Sequence, residues 1–183
     1  MALHPTGQSA SYPLEVHHRI RRDEQGEYGD IARSVDQCVD VVSVQHEYGI
    51  WGGDDGAYVF DFIRSLRVPA VTTLHTVLAD PSPRQRSVLS ELVARSDATV
   101  VMSRSAASRL AGAYGVDPRR LDIIPHGVPD LPIVDPETVK ASLGVAGRRV
   151  ILSFGLLGPG KGYELALEAV SYTHLTLPTI LRV

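Results

Sequence analysis

The stretch SFGLLGPGKGYE sets Gly155 four residues ahead of a Gly160–Lys161 pair, with Gly162 next. In a true phosphate loop the residue after the lysine is Ser or Thr, whose hydroxyl reaches Mg²⁺. Gly162 has none to offer, which disfavours a Walker-type ATPase. A more general chemistry survives. Gly155, Gly158, Gly160 and Gly162 let backbone approach a ligand closely between an expected strand and an expected helix, whose free N–H groups and dipole favour an anion. Lys161 adds a full positive charge beside them. A tight strand-to-helix turn with a solvated lysine would use the same residues. The coincidence of glycines and lysine at a strand's carboxyl end, where open α/β sheets bind ligands, favours anion binding.

Two other strand ends carry polar groups. His75 closes VTTLH, where it serves equally well as a donor or acceptor facing a crevice or as a cap bonded to the backbone. QHEYGIWGGDDG follows VDVVSV in the equivalent place. His46 and Glu47 bring polar groups to the base of this loop, and Gly52 and Gly53 suit close approach. Asp54 reads as the cap of the following helix, and Asp54 and Asp55 without a third ligand are no metal site. His17 and His18 are adjacent, point to opposite faces of a strand and cannot chelate together. The sequence holds no Gly-x-Ser-x-Gly elbow, zinc-spaced histidine pair or cysteine nucleophile setting, so hydrolases and metalloenzymes gain no support.

Positioning these groups requires a scaffold of alternating strands and helices. Apolar, β-branched runs recur at Val39 to Val44, Ala70 to Leu74, Ala98 to Met102, Leu121 to Ile124 and Arg149 to Phe154, close to the spacing of β-α-β units. Between them the spacing predicts helices. Val59, Phe60, Phe62, Ile63 and Leu66 make one apolar stripe; Val88, Leu89, Leu92 and Val93 a second; Ala106, Ala107, Leu110, Ala111 and Tyr114 a third, begun by Ser103 or Ser105 and stopped by Gly115. Runs such as TVVM suit a parallel sheet covered by helices on both faces. PHGVPDLPIVDP, rich in proline, reads as a stiff connection. A short helix capped by Asp135, a strand over Val150 to Phe154 and a helix from Gly162 open a second α/β domain. The expected organisation is residues 1–124, a partial Rossmann-like domain; 125–135, a crossover; 136–169, the start of a second such domain; and 170–183, a foreign tail. The tail assignment rests on Val170 to Thr179, VSYTHLTLPT, which resembles the translation of a transposon adapter used in DNA library preparation.

Bulk properties fit a soluble globular protein. The 183 residues are 44% hydrophobic and 21% charged, with net charge -3, which gives no electrostatic basis for nucleic-acid binding. RIRR, from Arg19 to Arg22, reads as a solvated edge. One cysteine, Cys38, excludes an internal disulfide and points to a reducing cytoplasm. No apolar run approaches the roughly 20 residues of a spanning helix, and the first residues lack the pattern of a signal peptide.

In order, QHEYGIWGG, TTLHT, VVMSRSAASRL, LDIIPHGV and SFGLLGPGKGYE resemble the GT-B glycosyltransferases of family 4, a large retaining group that uses nucleotide sugars. The resemblance runs from about Val39 to Ala169. It implies two Rossmann-like domains facing across a cleft, acceptor mostly on the first and donor on the second. It also implies that Lys161, with the turn Gly155, Gly158, Gly160 and Gly162, neutralises the donor diphosphate. His75 then stands near the reacting sugar, His126 and Gly127 match a crossover motif usually written Asn-Gly, and His46, Glu47, Gly52 and Gly53 belong to an acceptor-side loop. Leu156 stands where the family's arginine is usual. The implied partners are a nucleotide-diphosphate sugar as donor substrate and an unknown sugar or lipid-linked acceptor, with no separate cofactor and no metal. Peripheral membrane contact of the parent stays open. The family's glycine-rich first loop and spaced glutamate pair are not in these residues, so the chain by itself is expected to be inactive. A sugar-nucleotide epimerase of similar architecture, or a non-catalytic nucleotide- or partner-binding module, would share much of this pattern.

Overall fold

Helix α3, Pro83–Arg95, shows how locally the sequence dictates this structure. Ser82 Oγ accepts from Gln85 N at 3.1 Å while Gln85 Oε1 accepts from Ser82 N at 3.0 Å, and Pro83 occupies the first turn, where its missing N–H costs nothing. Val88, Leu89, Leu92 and Val93 all face the core. The computed structural model describes residues 1–5, 7, 11–155, 158 and 161–171, and divides the chain into two units, Met1–Val128 and Pro129–Val183.

The first unit is α/β, with parallel sheets flanked by helices, as a Rossmann-like domain requires. Its elements are β1 (Ala2–His4), β2 (Arg19–Arg21), α1 (Gln25–Val35), β3 (Val42–His46), α2 (Val59–Ser65), β4 (Ala70–Leu74), α3, β5 (Ala98–Val101), α4 (Arg104–Ala113) and β6 (Leu121–Ile123). Four strands run parallel in the order β3-β4-β5-β6, with Val42 opposite Ala70, Val71 opposite Ala98 and Thr99 opposite Leu121; β1 and β2 form a separate parallel pair. Burial alternates along the strands: Val42, Val44, His46, Ala70, Thr72, Leu74, Thr99 and Val101 are sealed, while Ser43, Gln45, Val71, Thr73 and Val100 are half-buried or exposed. That period-two pattern leaves one face of the sheet less completely covered than TVVM suggested.

Helix α2 buries Val59, Phe60, Phe62 and Ile63, and α4 is capped by Ser103, whose Oγ accepts from Ala106 N at 3.1 Å, then ends at Gly115 with φ +70°. Two readings change. RIRR is no solvated edge: Arg19–Arg21 is a strand, Ile20 is fully buried, and Arg21 pairs with Glu27, lowering that carboxyl's pKa. Asp54 caps nothing; it opens a 3-10 turn, Asp54–Gly56, and pairs with Arg84.

In the second unit α5, Pro136–Ser142, begins with Asp135 Oδ2 accepting from Thr138 N at 2.9 Å. The strand expected over Val150 to Phe154 does not form, and Ile151, Leu152 and Phe154 are exposed. A strand needs a neighbour to satisfy its ladder, and none is present among the described residues of this unit. Helix α6, Tyr163–Ser171, follows; Leu156 and Gly160 lie outside the described residues, as does the expected foreign tail from residue 172 onward.

Candidate functional site

The carboxyl ends of β3 and β4 in the first unit gather most of the polar residues singled out above. Residue 75 follows directly on β4, and its exposed ring bonds through Nε2 to Gln45 Oε1 at 2.7 Å. Gln45 donates its amide Nε2 to Ser43 Oγ at 3.0 Å, so its oxygen is the acceptor and His75 donates from Nε2. The His75 and His126 rings lie 6.3 Å apart, and His126 and Gly127 are exposed. Two histidines and a glutamine amide therefore share one end of the sheet, where open α/β folds place ligands.

His46 is positioned differently. Its side chain is fully buried with neither ring nitrogen hydrogen-bonded, and the Tyr48 ring packs edge-on at 5.4 Å. Loss of hydration, opposed by Glu47 and aided by His75, lowers its pKa to about 4. At neutral pH it is an uncharged core imidazole beneath the loop. Its carbonyl accepts from His75 N at 3.0 Å, tying the two strand ends together.

The loop above it is held by its own contacts. Thr76 Oγ1 donates to Glu47 Oε2 at 2.6 Å, Trp51 Nε1 donates to Gln45 O at 3.0 Å, and Gln85 Nε2 donates to Asp55 Oδ1 at 3.2 Å. Burial raises the pKa of Tyr48, whose hydroxyl donates to Gln85 O at 3.4 Å. The close approach that Gly52 and Gly53 permit is to the chain itself. A Cβ on Gly52 would stand 1.9 Å from the Arg22 carbonyl oxygen, and one on Gly53, at φ +74°, would meet the Tyr58 ring at 2.6 Å. Gly52 N also accepts no substitute geometry cheaply, since it donates to Tyr28 Oη at 3.0 Å. Gly52→Ala is therefore expected to cost about 1–3 kcal/mol through overpacking. Urea unfolding followed by the fluorescence of Trp51, the sole tryptophan and 4% exposed, checks this as a fall in midpoint.

Lys161 belongs to the second unit. It is exposed, and its N–H contacts Gly158 O at 3.4 Å. Gly155 and Gly162 adopt φ +143° and +73°, which only glycine takes readily, and α6 starts immediately after Gly162. Lysine and a helix amino terminus thus occur together, as an anion site needs. Sequence reasoning missed Gln45 and Thr76 as the residues that hold His75 and Glu47. Among the described residues no three His, Cys, Asp or Glu side chains converge as metal ligands, and no helix is long and apolar enough to cross a membrane.

The decisive comparison concerns residues 14–130, which match the model of Glycosyltransferase Family 4. The chain belongs to that family. The matched span includes the whole of β3 to β6 together with His46, His75 and His126. Among curated proteins the chain is similar to the D-inositol 3-phosphate glycosyltransferase of Segniliparus rotundus, 32% identical over 153 residues, covering 75% of this chain and 33% of that protein. The enzyme of the same name from Geodermatophilus obscurus is 36% identical over 119 residues, or 57% of this chain and 26% of the relative. That from Gordonia bronchialis is 32% identical over the same length and shares. This family member thus spans about a third of the first of these relatives and about a quarter of the other two.

Proposed function

We propose that this chain is part of a retaining glycosyltransferase of GT-B architecture, which moves a sugar from a nucleotide-diphosphate donor to an acceptor in the cytoplasm. The observation that carries the reading is the family match across residues 14–130, which spans a parallel sheet with His75 and His126 at its carboxyl end. The first unit supplies the acceptor side. The second supplies the donor side through the turn at Gly155, Gly158, Gly160, Lys161 and Gly162. Lys161 and the amino terminus of α6 bind the diphosphate without a metal, and neutralise the charge that grows on it as the glycosidic bond breaks. His75, oriented by Gln45, presents Nδ1 to a hydroxyl of the sugar. His46, buried and neutral, supports the loop rather than touching substrate.

The test is turnover by the uninterrupted protein offered a panel of nucleoside-diphosphate sugars, with D-inositol 3-phosphate as the first acceptor because the relatives carry that name. Release of nucleoside diphosphate that depends on acceptor supports transfer; hydrolysis or isomerisation of the donor without acceptor overturns it. The 183-residue chain alone is expected to release none. In the active protein His75→Ala should lower kcat/KM about tenfold, the worth of one hydrogen bond, and an unchanged value would remove His75 from the site.

A further inference from the structure

We propose that the acceptor of this protein carries no phosphate where it meets the first unit, and that Glu47 enforces this by holding a carboxylate beside His75. The inference rests on the transfer reaction proposed above, with the acceptor at the carboxyl ends of β3 and β4, and adds to it the chemical class of that acceptor.

Strand pairing puts the carboxylate there. Glu47 directly follows His46, the last residue of β3; His46 is sealed, whereas Gln45 is exposed and Glu47 half-buried. From the end of the neighbouring strand β4 come His75 and Thr76. His75 bonds to Gln45 at 2.7 Å, and Thr76 Oγ1 donates to Glu47 Oε2 at 2.6 Å, so the carboxylate is anchored to the residue next to His75. Its other oxygen, Oε1, accepts from Tyr48 N at 3.3 Å. Both bonds fix the position of the group, and neither comes from a cation.

The surrounding charges leave Glu47 unbalanced. Asp54, further along the same loop, is offset by Arg84. Arg109 directs a guanidinium nitrogen to Val77 O, in the loop after Thr76, at 3.2 Å. Among the described residues Glu47 takes part in no ion pair. A phosphate brought to His75 would therefore stand beside a like charge in a partly water-excluded crevice, and would find the Thr76 hydroxyl already engaged. A hydroxyl of a sugar or cyclitol meets the opposite situation, because an ionised carboxylate is a strong acceptor. Discrimination by a repulsive group set against the wrong ligand is a general route to specificity.

The test measures acceptor-dependent release of nucleoside diphosphate by the uninterrupted protein for matched pairs, each a sugar or cyclitol with and without its phosphate, inositol beside D-inositol 3-phosphate among them. The unphosphorylated member is expected to be favoured by at least about tenfold in kcat/KM, and added salt to narrow the gap by screening the repulsion. Glu47→Gln still accepts from Thr76 but carries no charge, so it should shrink that preference about tenfold or reverse it, with the fluorescence of buried Trp51 unchanged as the check on folding. A wild-type preference for the phosphorylated members overturns the proposal. So does a preference that Glu47→Gln leaves intact, or, where that variant does not fold, one that salt leaves unchanged. If no member of any pair raises release above the level without acceptor, the transfer reading itself is overturned and the inference falls with it.

Discussion

Lys161→Ala in the uninterrupted protein is expected to reduce turnover by about 10²–10³-fold while weakening donor binding far less. Breaking a glycosyl-diphosphate bond moves negative charge onto the leaving group, so a cation held at that group contributes more in the transition state than in the ground state. On the proposed reading this duty falls mainly on one side chain: the resemblance puts an arginine where Leu156 stands, so the proposal assigns the charge to Lys161 and the N–H groups opening α6. Gly162, at φ +73°, starts that helix directly beside the lysine, and an α6 of nine residues is long enough to carry a terminal dipole. Steady-state kinetics with a saturating acceptor decides the matter: a depressed kcat with little change in donor KM supports the assignment, whereas unchanged turnover refutes it. Lys161→Arg should recover part of the rate, since charge is kept while geometry changes.

Where local chemistry was self-sufficient, the fold could be read in advance. Ser82-Pro83 with Gln85 encodes a helix start that needs no tertiary help, and the stripe from Val88 to Val93 is buried as its period demands. Helix α1 escaped notice because Gly26 and Gly29 interrupt its pattern. Gly29 is there for packing, since a Cβ would lie 3.0 Å from Ser65 Oγ across the contact with α2. Strand β2 was hidden by arginines on both sides of Ile20, whose burial depends on partners remote in sequence. Conversely, Val150 to Phe154 has ideal strand composition and forms none, because propensity cannot supply a hydrogen-bonding neighbour.

The site divides along the same line. His75 could be placed at a strand terminus from the pattern VTTLH alone, but its proton position depends on Gln45, thirty residues earlier, which only the pairing of β3 with β4 brings within 2.7 Å. Gly52 was legible as a close-approach residue but not as one approaching Arg22, because Arg22 is carried there by β2, which it directly follows and which the sequence concealed. His46 looked like a polar group at the base of a loop. Its alternation with Val44 and Val42 places it instead on the sealed face, where Tyr48 covers it.

That burial produces the second large effect, a loss of stability in mild acid. The His46 pKa falls from 6.5 to about 4 in the folded chain, chiefly through desolvation. Above pH 6.5 both folded and unfolded states hold the ring neutral, and the titration costs nothing. As pH falls through 6.5 the unfolded chain takes up a proton that the folded chain refuses, so unfolding becomes progressively easier down to about pH 4. The total loss is roughly 3 kcal/mol, from about 1.4 kcal/mol per pKa unit. Glu47 limits the depression and His75 deepens it, so both should modulate the midpoint. Urea titrations of the first unit, read from Trp51 between pH 7 and 5, should show the midpoint falling before most carboxylates begin to protonate. In His46→Leu, which keeps the packing but removes the titration, that slope should flatten over this range. A slope that persists unchanged in the variant would mean that some other group carries the acid sensitivity and that the His46 ring finds water or a partner in solution.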